Sequence, residues 1–226
     1  TAEEIGVFRA ISLSGETGVP VHLTHLSTRK SLSLVREAKA KNLPVTCDVT
    51  PHHLCLSEEL VLDSGFDSRF KVNPPLRSLG DVESLWESLA DGTVDAIATD
   101  HAPWHMDEKD LPFPEAPFGI ASLECAFPAV YDKWLKRGKP FPLERLLSLF
   151  TRGPASILPN RWKGLGAVKP GSLADLVVID AVLERAVTVN DWKSKACVTP
   201  WEGSTLTGWP LMTFLEGRLV FQRAGA

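Results

Sequence analysis

VPVHLTHLSTRKSLSLVREAKAKNLPVTCDVT, residues 19–50, is the stretch that decides the fold. Residues 19–25 form a short β-like run. Residues 31–42 carry Leu32, Leu34, Val35 and Ala38 on one helical face, and Ser27 is placed to cap that helix. Residues 43–50 are β-like again. Antiparallel neighbours can be joined by a hairpin, whereas parallel neighbours need a longer crossover, usually a helix. Strand, helix and strand therefore read as a parallel βα unit. The pattern extends both ways. Upstream, residues 2–16 place Ile5, Phe8, Ile11 and Leu13 at amphipathic spacing and stop at Gly18. Downstream, a polar, acidic stretch leads to Phe70-Lys71-Val72-Asn73 and a Pro-Pro turn. Residues 81–89 then look helical, and residues 94–99 form a third strand. The class is α/β.

The texture changes near residue 155. From Gly166 onward, short β-rich runs are separated by Gly and Pro with no helical pattern between them. The expectation is an α/β body over residues 1–155, then a linker and a small antiparallel, β-sandwich-like module over 156–226. Composition limits the function. The chain has 226 residues, with 24 Lys and Arg against 28 Asp and Glu, a net charge of −4. That balance argues against nucleic acid as a partner and suits an enzyme meeting small molecules. No apolar run approaches the roughly 20 residues that cross a bilayer, and no signal peptide is visible, so neither a membrane nor secretion is expected. The four cysteines, Cys47, Cys55, Cys125 and Cys197, are scattered without a C-x-x-C, and read as thiols of a reducing, cytoplasmic compartment. Thr1 stands where an initiator Met would, with a helix beginning at once; the expectation is the later part of a longer chain.

Several residues carry chemistry. His25 ends the first strand, while His22, an odd offset away, faces the other side and is not expected to share a metal with it. Asp100 directly follows the third strand, where a parallel sheet exposes its active-site groups. His101-Ala102-Pro103 after it prevents immediate helix continuation. Asn73, in FKVNPPLR, offers both an amide donor and a carbonyl acceptor on a loop stiffened by two prolines. Arg77 meets an anion or, by default, water. In PHHL, residues 51–54, the adjacent histidines point apart, so at most one would serve as a ligand.

In order, HLTHLST, VTPHHL, FKVNPPLR, ATDHAP and APFGIASLE resemble the bacterial dihydroorotases of the amidohydrolase superfamily, and GLGAVKPGSLADLVVID resembles that superfamily's return into its β module. The resemblance runs from His22 to about residue 221. It implies the C-terminal portion of a (β/α)8 TIM-type barrel, strands six to eight, followed by a small β module. It implies two zinc ions at the strand ends, with His25 as a metal ligand and Asp100 as both metal ligand and general acid/base. It implies Asn73 at the substrate ring and the Phe118-Gly119 backbone along the substrate pocket. The implied reaction is the reversible cyclisation of N-carbamoyl-L-aspartate to dihydroorotate in pyrimidine synthesis.

The sequence departs from the family in two respects. The family's strand-one H-x-H, its strand-four carboxylate and its strand-five histidine fall before Thr1, and no H-x-H occurs here. With two of six ligands, the chain alone is expected to be inactive. Trp104 occupies the place of a histidine that meets the substrate carboxylate. Either His105 reaches in instead, or Trp104 packs the loop and His105 is solvated. Two other readings remain. One is an allantoinase- or hydantoinase-like cyclic amidohydrolase; the other is a non-catalytic scaffold for aspartate carbamoyltransferase. A homo-oligomer or that transferase is the macromolecular partner the resemblance allows.

Overall fold

The structure is a computed structural model that describes residues 2–158, 164–196 and 198–224; the readings on Thr1 and Cys197 lie outside them. Helix α1 (Ala2–Thr17) leads into strand β1 (Val21–Leu23), helix α2 (Arg29–Ala40) and strand β2 (Val45–Val49). Two short helices follow, α3 (Pro51–Cys55) and α4 (Glu59–Asp63), then α5 (Leu79–Asp91) and strand β3 (Ala96–Ile97). The three strands form one parallel sheet in the order β1-β2-β3, with Val21 opposite Val45 and Asp48 opposite Ala96. Because the strands run the same way, everything that follows β1, β2 and β3 emerges at one edge.

Strand ends differ from the sequence reading for local reasons. Pro20 has no N–H to pair, and at His25 the backbone turns away with φ 47°, so β1 keeps only the middle of the 19–25 run. The cap of α2 is Thr28, not Ser27. The Thr28 hydroxyl accepts from the Ser31 N–H at 3.2 Å, while the Ser27 hydroxyl donates to Glu3. Leu32, Val35 and Ala38 are buried as the α2 pattern requires, and Leu34 is half-buried. Helix α1 departs further: it buries Val7 and Ser14 and leaves Ile5, Phe8 and Leu13 exposed. Its expected apolar face is mostly uncovered.

The main core joins Leu32, Val35, Val49, Leu54, Leu85, Trp86, Leu89, Leu146 and Leu149 from α2, β2, α3, α5 and α8 (Leu143–Phe150). Each such leucine contributes about 1.5–3 kcal/mol of burial. Between β3 and that helix lie α6 (Met106–Lys109) and α7 (Ala126–Lys136), and α9 (Arg152–Ile157) follows. The remaining strands, β4 (Leu176–Ala186), β5 (Thr205–Leu215) and β6 (Arg218–Gln222), form an antiparallel sheet. That sheet packs on α7, where Thr207 donates to Asp132 at 3.1 Å and Gly208, at φ 88°, lies against the Tyr131 ring. No helix among the described residues is long and apolar enough to cross a membrane.

Candidate active site

The parallel sheet gathers its polar residues at one end. His25 and Asp100 leave β1 and β3 with φ 47° and 46°, a left-handed turn uncommon outside glycine, though Asn, Asp and His enter it more readily than other residues. The turn at His25 is held by Asp48, a buried carboxylate inside β2. One Asp48 oxygen accepts from the His25 N–H at 2.7 Å, and the Thr24 hydroxyl donates to both oxygens, at 3.2 and 3.0 Å. The other oxygen accepts from His22 Nε2 at 2.8 Å, and His22 Nδ1 lies 2.9 Å from the Thr46 hydroxyl. His22 is thus bound to β2 rather than turned toward a ligand shared with His25. Asp48 belongs to none of the candidates that the sequence offers. A lone carboxylate between Cys47 and Val49, in an otherwise apolar strand, is the signal that could have found it.

The two histidines of PHHL part company. Thr50 caps α3 by accepting from the His53 N–H at 3.2 Å. His53 Nε2 donates to the Pro74 carbonyl at 2.9 Å, so Nδ1, 2.8 Å from the Thr50 hydroxyl, is the acceptor and the ring is neutral. Burial pushes its pKa down to about 4. His52 is wholly buried, and neither ring nitrogen has a partner among the described residues. Its Nε2 lies 3.9 Å from Asp100 Oδ2, beyond hydrogen-bond reach. An unmet buried donor costs about 1–3 kcal/mol. Burial, then the neighbouring His53 and His25, hold the His52 pKa well below the usual histidine range. Burial also raises the half-buried Asp100 carboxyl above the usual carboxylate range; His25 opposes that shift and Asp48 adds to it. His25, His52, Asp48 and Asp100 therefore share one electrostatic neighbourhood.

The remaining candidate residues surround this group unevenly. Asn73 is exposed, and the carbonyl of the following Pro74 is the one that His53 engages. Gly119 N–H donates to the Lys71 carbonyl at 3.0 Å. Its φ is 146°, and a Cβ there would sit 2.6 Å from the Ala102 carbonyl oxygen, so only glycine fits. The Phe118 carbonyl accepts from Trp104 Nε1 at 2.9 Å, and the Phe118 ring is exposed with the Lys71 ammonium 4.6 Å from its centre. His105 caps α6: its Nδ1 accepts from the Asp107 N–H at 3.3 Å, and the Glu108 carboxylate accepts from the His105 N–H at 3.2 Å. His101 Nδ1 accepts from the Ser122 and Leu123 amides at 3.1 and 3.2 Å, which fixes the loop after β3. Arg77 is committed to Ser27 at 2.9 Å and Glu3 at 3.5 Å, not to a free anion. A cavity of about 980 Å³ opens elsewhere, beside Phe66, Arg69, Lys109 and Phe113; none of His25, Asp48, His52 or Asp100 lines it. Burial raises the Cys47, Cys55 and Cys125 thiols to about 12, so none is poised as a nucleophile.

Imidazole nitrogen and carboxylate oxygen are suitable donors for a zinc-type ion. No set of three or more His, Cys, Asp or Glu among the described residues is placed to hold one. His25 and Asp100 fit such an ion only as part of a larger ligand set.

A sequence profile of the amidohydrolase family matches residues 1–220. The chain belongs to the amidohydrolase family. Among curated amidohydrolase relatives, it is 51% identical to a dihydroorotase of Thermus aquaticus over 89% of this chain and 46% of that protein. It is 44% identical to a dihydroorotase of Deinococcus radiodurans over 96% of this chain and 50% of the relative. Among solved structures, an L-hydantoinase (dihydropyrimidinase) from Arthrobacter aurescens superposes with a TM-score of 0.89 at 26% identity, covering 97% of this chain and 48% of that one. A D-hydantoinase (dihydropyrimidinase) from Thermus sp. gives 0.88 at 23% identity over the same shares, a likeness of fold alone. The chain spans about half the length of the relatives it matches.

Proposed function

We propose that this chain is part of a dihydroorotase, a zinc-dependent cyclic amide hydrolase that interconverts N-carbamoyl-L-aspartate and dihydroorotate in pyrimidine synthesis. The observation that carries the reading is the 41–51% identity to curated dihydroorotases, in a chain where His25 and Asp100 follow β1 and β3 at the same end of the sheet. The fold is accordingly the later strands of an eight-stranded barrel, with β4–β6 as part of a small β module. The reading also sets the reaction in the cytoplasm, with a second copy or an aspartate carbamoyltransferase as the macromolecular partner.

In this mechanism His25 and Asp100 would hold zinc together with ligands beyond the described residues. Zinc, when bound, supplies Lewis-acid polarisation of the ring carbonyl and a water acidified towards neutrality. Asp100 does the proton work. A carboxylate can accept a proton and return it, which serves both directions of the reaction. In hydrolysis it takes a proton from the attacking water and returns it to the departing ring nitrogen; cyclisation reverses both transfers. Asn73 presents its exposed amide to the substrate ring. Phe118-Gly119 offers backbone groups to the substrate, although the Phe118 carbonyl and the Gly119 N–H are already engaged by Trp104 and Lys71. His105 reaches a substrate carboxylate only by giving up its cap on α6.

The test uses the whole protein, comparing dihydroorotate, allantoin and hydantoin as substrates. A marked preference for dihydroorotate is expected. Preference for either of the others would replace this reading, and turnover of none would favour the scaffold.

A further inference from the structure

His52 is the unexplained residue of the site. It sits on α3 with its side chain wholly buried, and neither ring nitrogen has a hydrogen-bond partner among the described residues. The adjacent His53, by contrast, has both ring nitrogens engaged, by Thr50 and Pro74. The carboxylate near His52 is that of Asp100, at 3.9 Å from Nε2. An orphan imidazole nitrogen thus faces a partly exposed carboxylate across a gap longer than a hydrogen bond. Asp100 is partly exposed, whereas the His52 ring is wholly buried, so the carboxylate is the partner with room to move.

Resting on the dihydroorotase reading for its reaction, we propose that His52 is a positioning residue: its Nε2–H donates to Asp100 Oδ2 and orients the carboxylate for proton exchange with the substrate. The ring itself neither gains nor loses a proton. The other Asp100 oxygen remains available to the metal and the reacting atoms.

The whole protein tests this with three substitutions. His52→Phe keeps the ring and removes the donor; His52→Gln keeps an amide N–H near the Nε2 position; His52→Asn places its amide too short to reach. Misplacing a reacting group by an ångström can cost about 10²-fold, so His52→Phe and His52→Asn should lower kcat by about that factor with KM little changed. His52→Gln should recover most of it, and bound zinc should be the same in all. Parental kcat in His52→Phe would overturn the proposal, as would a Gln variant no better than Phe. Loss of zinc in the variants would make His52 a ligand instead. A readout independent of turnover separates this from the substrate reading: the His52 Nε2 proton in ¹⁵N-histidine NMR, identified by its disappearance in His52→Phe. It should be protected from solvent and should shift in Asp100→Ala. An unshifted proton, or one exchanging too fast to observe, overturns the proposal. A shift in a protein that leaves dihydroorotate untouched keeps the His52–Asp100 contact and discards the substrate.

Discussion

Asp100→Asn keeps the shape of the side chain and removes its proton. In the whole protein the loss of general acid/base work alone should lower kcat by about 10²–10⁴, with substrate binding less affected. His25→Ala should instead act through bound zinc, so excess zinc restores part of its activity and none of that of Asp100→Asn. Measuring kcat and zinc content for both variants checks the assignment; near-parental kcat in Asp100→Asn at full zinc would refute it. Both candidates come from the sequence, since His25 ends a β-like run and Asp100 follows one, each within a recognisable motif. Asp48 and His52 are harder to read. The importance of Asp48 comes from accepting the His25 N–H across a strand pair, and that of His52 from having no partner among the described residues. Neither relation leaves a trace in local spacing.

At the scale of elements, the start of α2 is organised by a residue from α1. Glu3 accepts from the Ser27 and Thr28 amides at 3.1 Å and from their hydroxyls, and Arg77 approaches it at 3.5 Å. Burial alone would raise the Glu3 carboxyl, but these hydrogen bonds outweigh it and hold the pKa below the usual value of 4.5. The stabilisation is therefore complete above about pH 4.5 and is lost as pH falls through the lower folded value. Glu3→Gln should cost about 1–3 kcal/mol at pH 7, and its melting temperature should converge on the parent's in acid. Lys109 behaves oppositely. Its ammonium is buried against the carbonyls of Ser68, Lys71 and Pro117, and burial, with Lys71 adding to it, lowers its pKa from 10.5 to about 8. Between those values the unfolded chain binds more protons, so stability should rise with pH from about 8 to 10.5. Lys109→Met should abolish that rise in melting scans. The helix and strand order is readable from periodicity; the Ser27-for-Thr28 exchange is not, because Glu3 lies far upstream in the chain.

Across the molecule, the parallel sheet has β1 and β3 as open edges among the described residues, and α1 exposes Ile5, Phe8 and Leu13. Unpaired edges and uncovered apolar faces favour association. The 226-residue chain produced alone should self-associate in sedimentation experiments; a monodisperse monomer with cooperative unfolding would contradict this. The α/β class follows from the alternation of periods. The uncovered face of α1 does not, since an amphipathic pattern says which side is apolar and not what lies against it.

The left-handed backbone at His25 and Asp100 has an evolutionary corollary. Both sites would be more comfortable as glycine, by about 1 kcal/mol for histidine and less for aspartate. Metal-free His25→Gly should therefore melt above its parent. In a lineage released from selection for turnover, drift towards greater stability would erase these two side chains early.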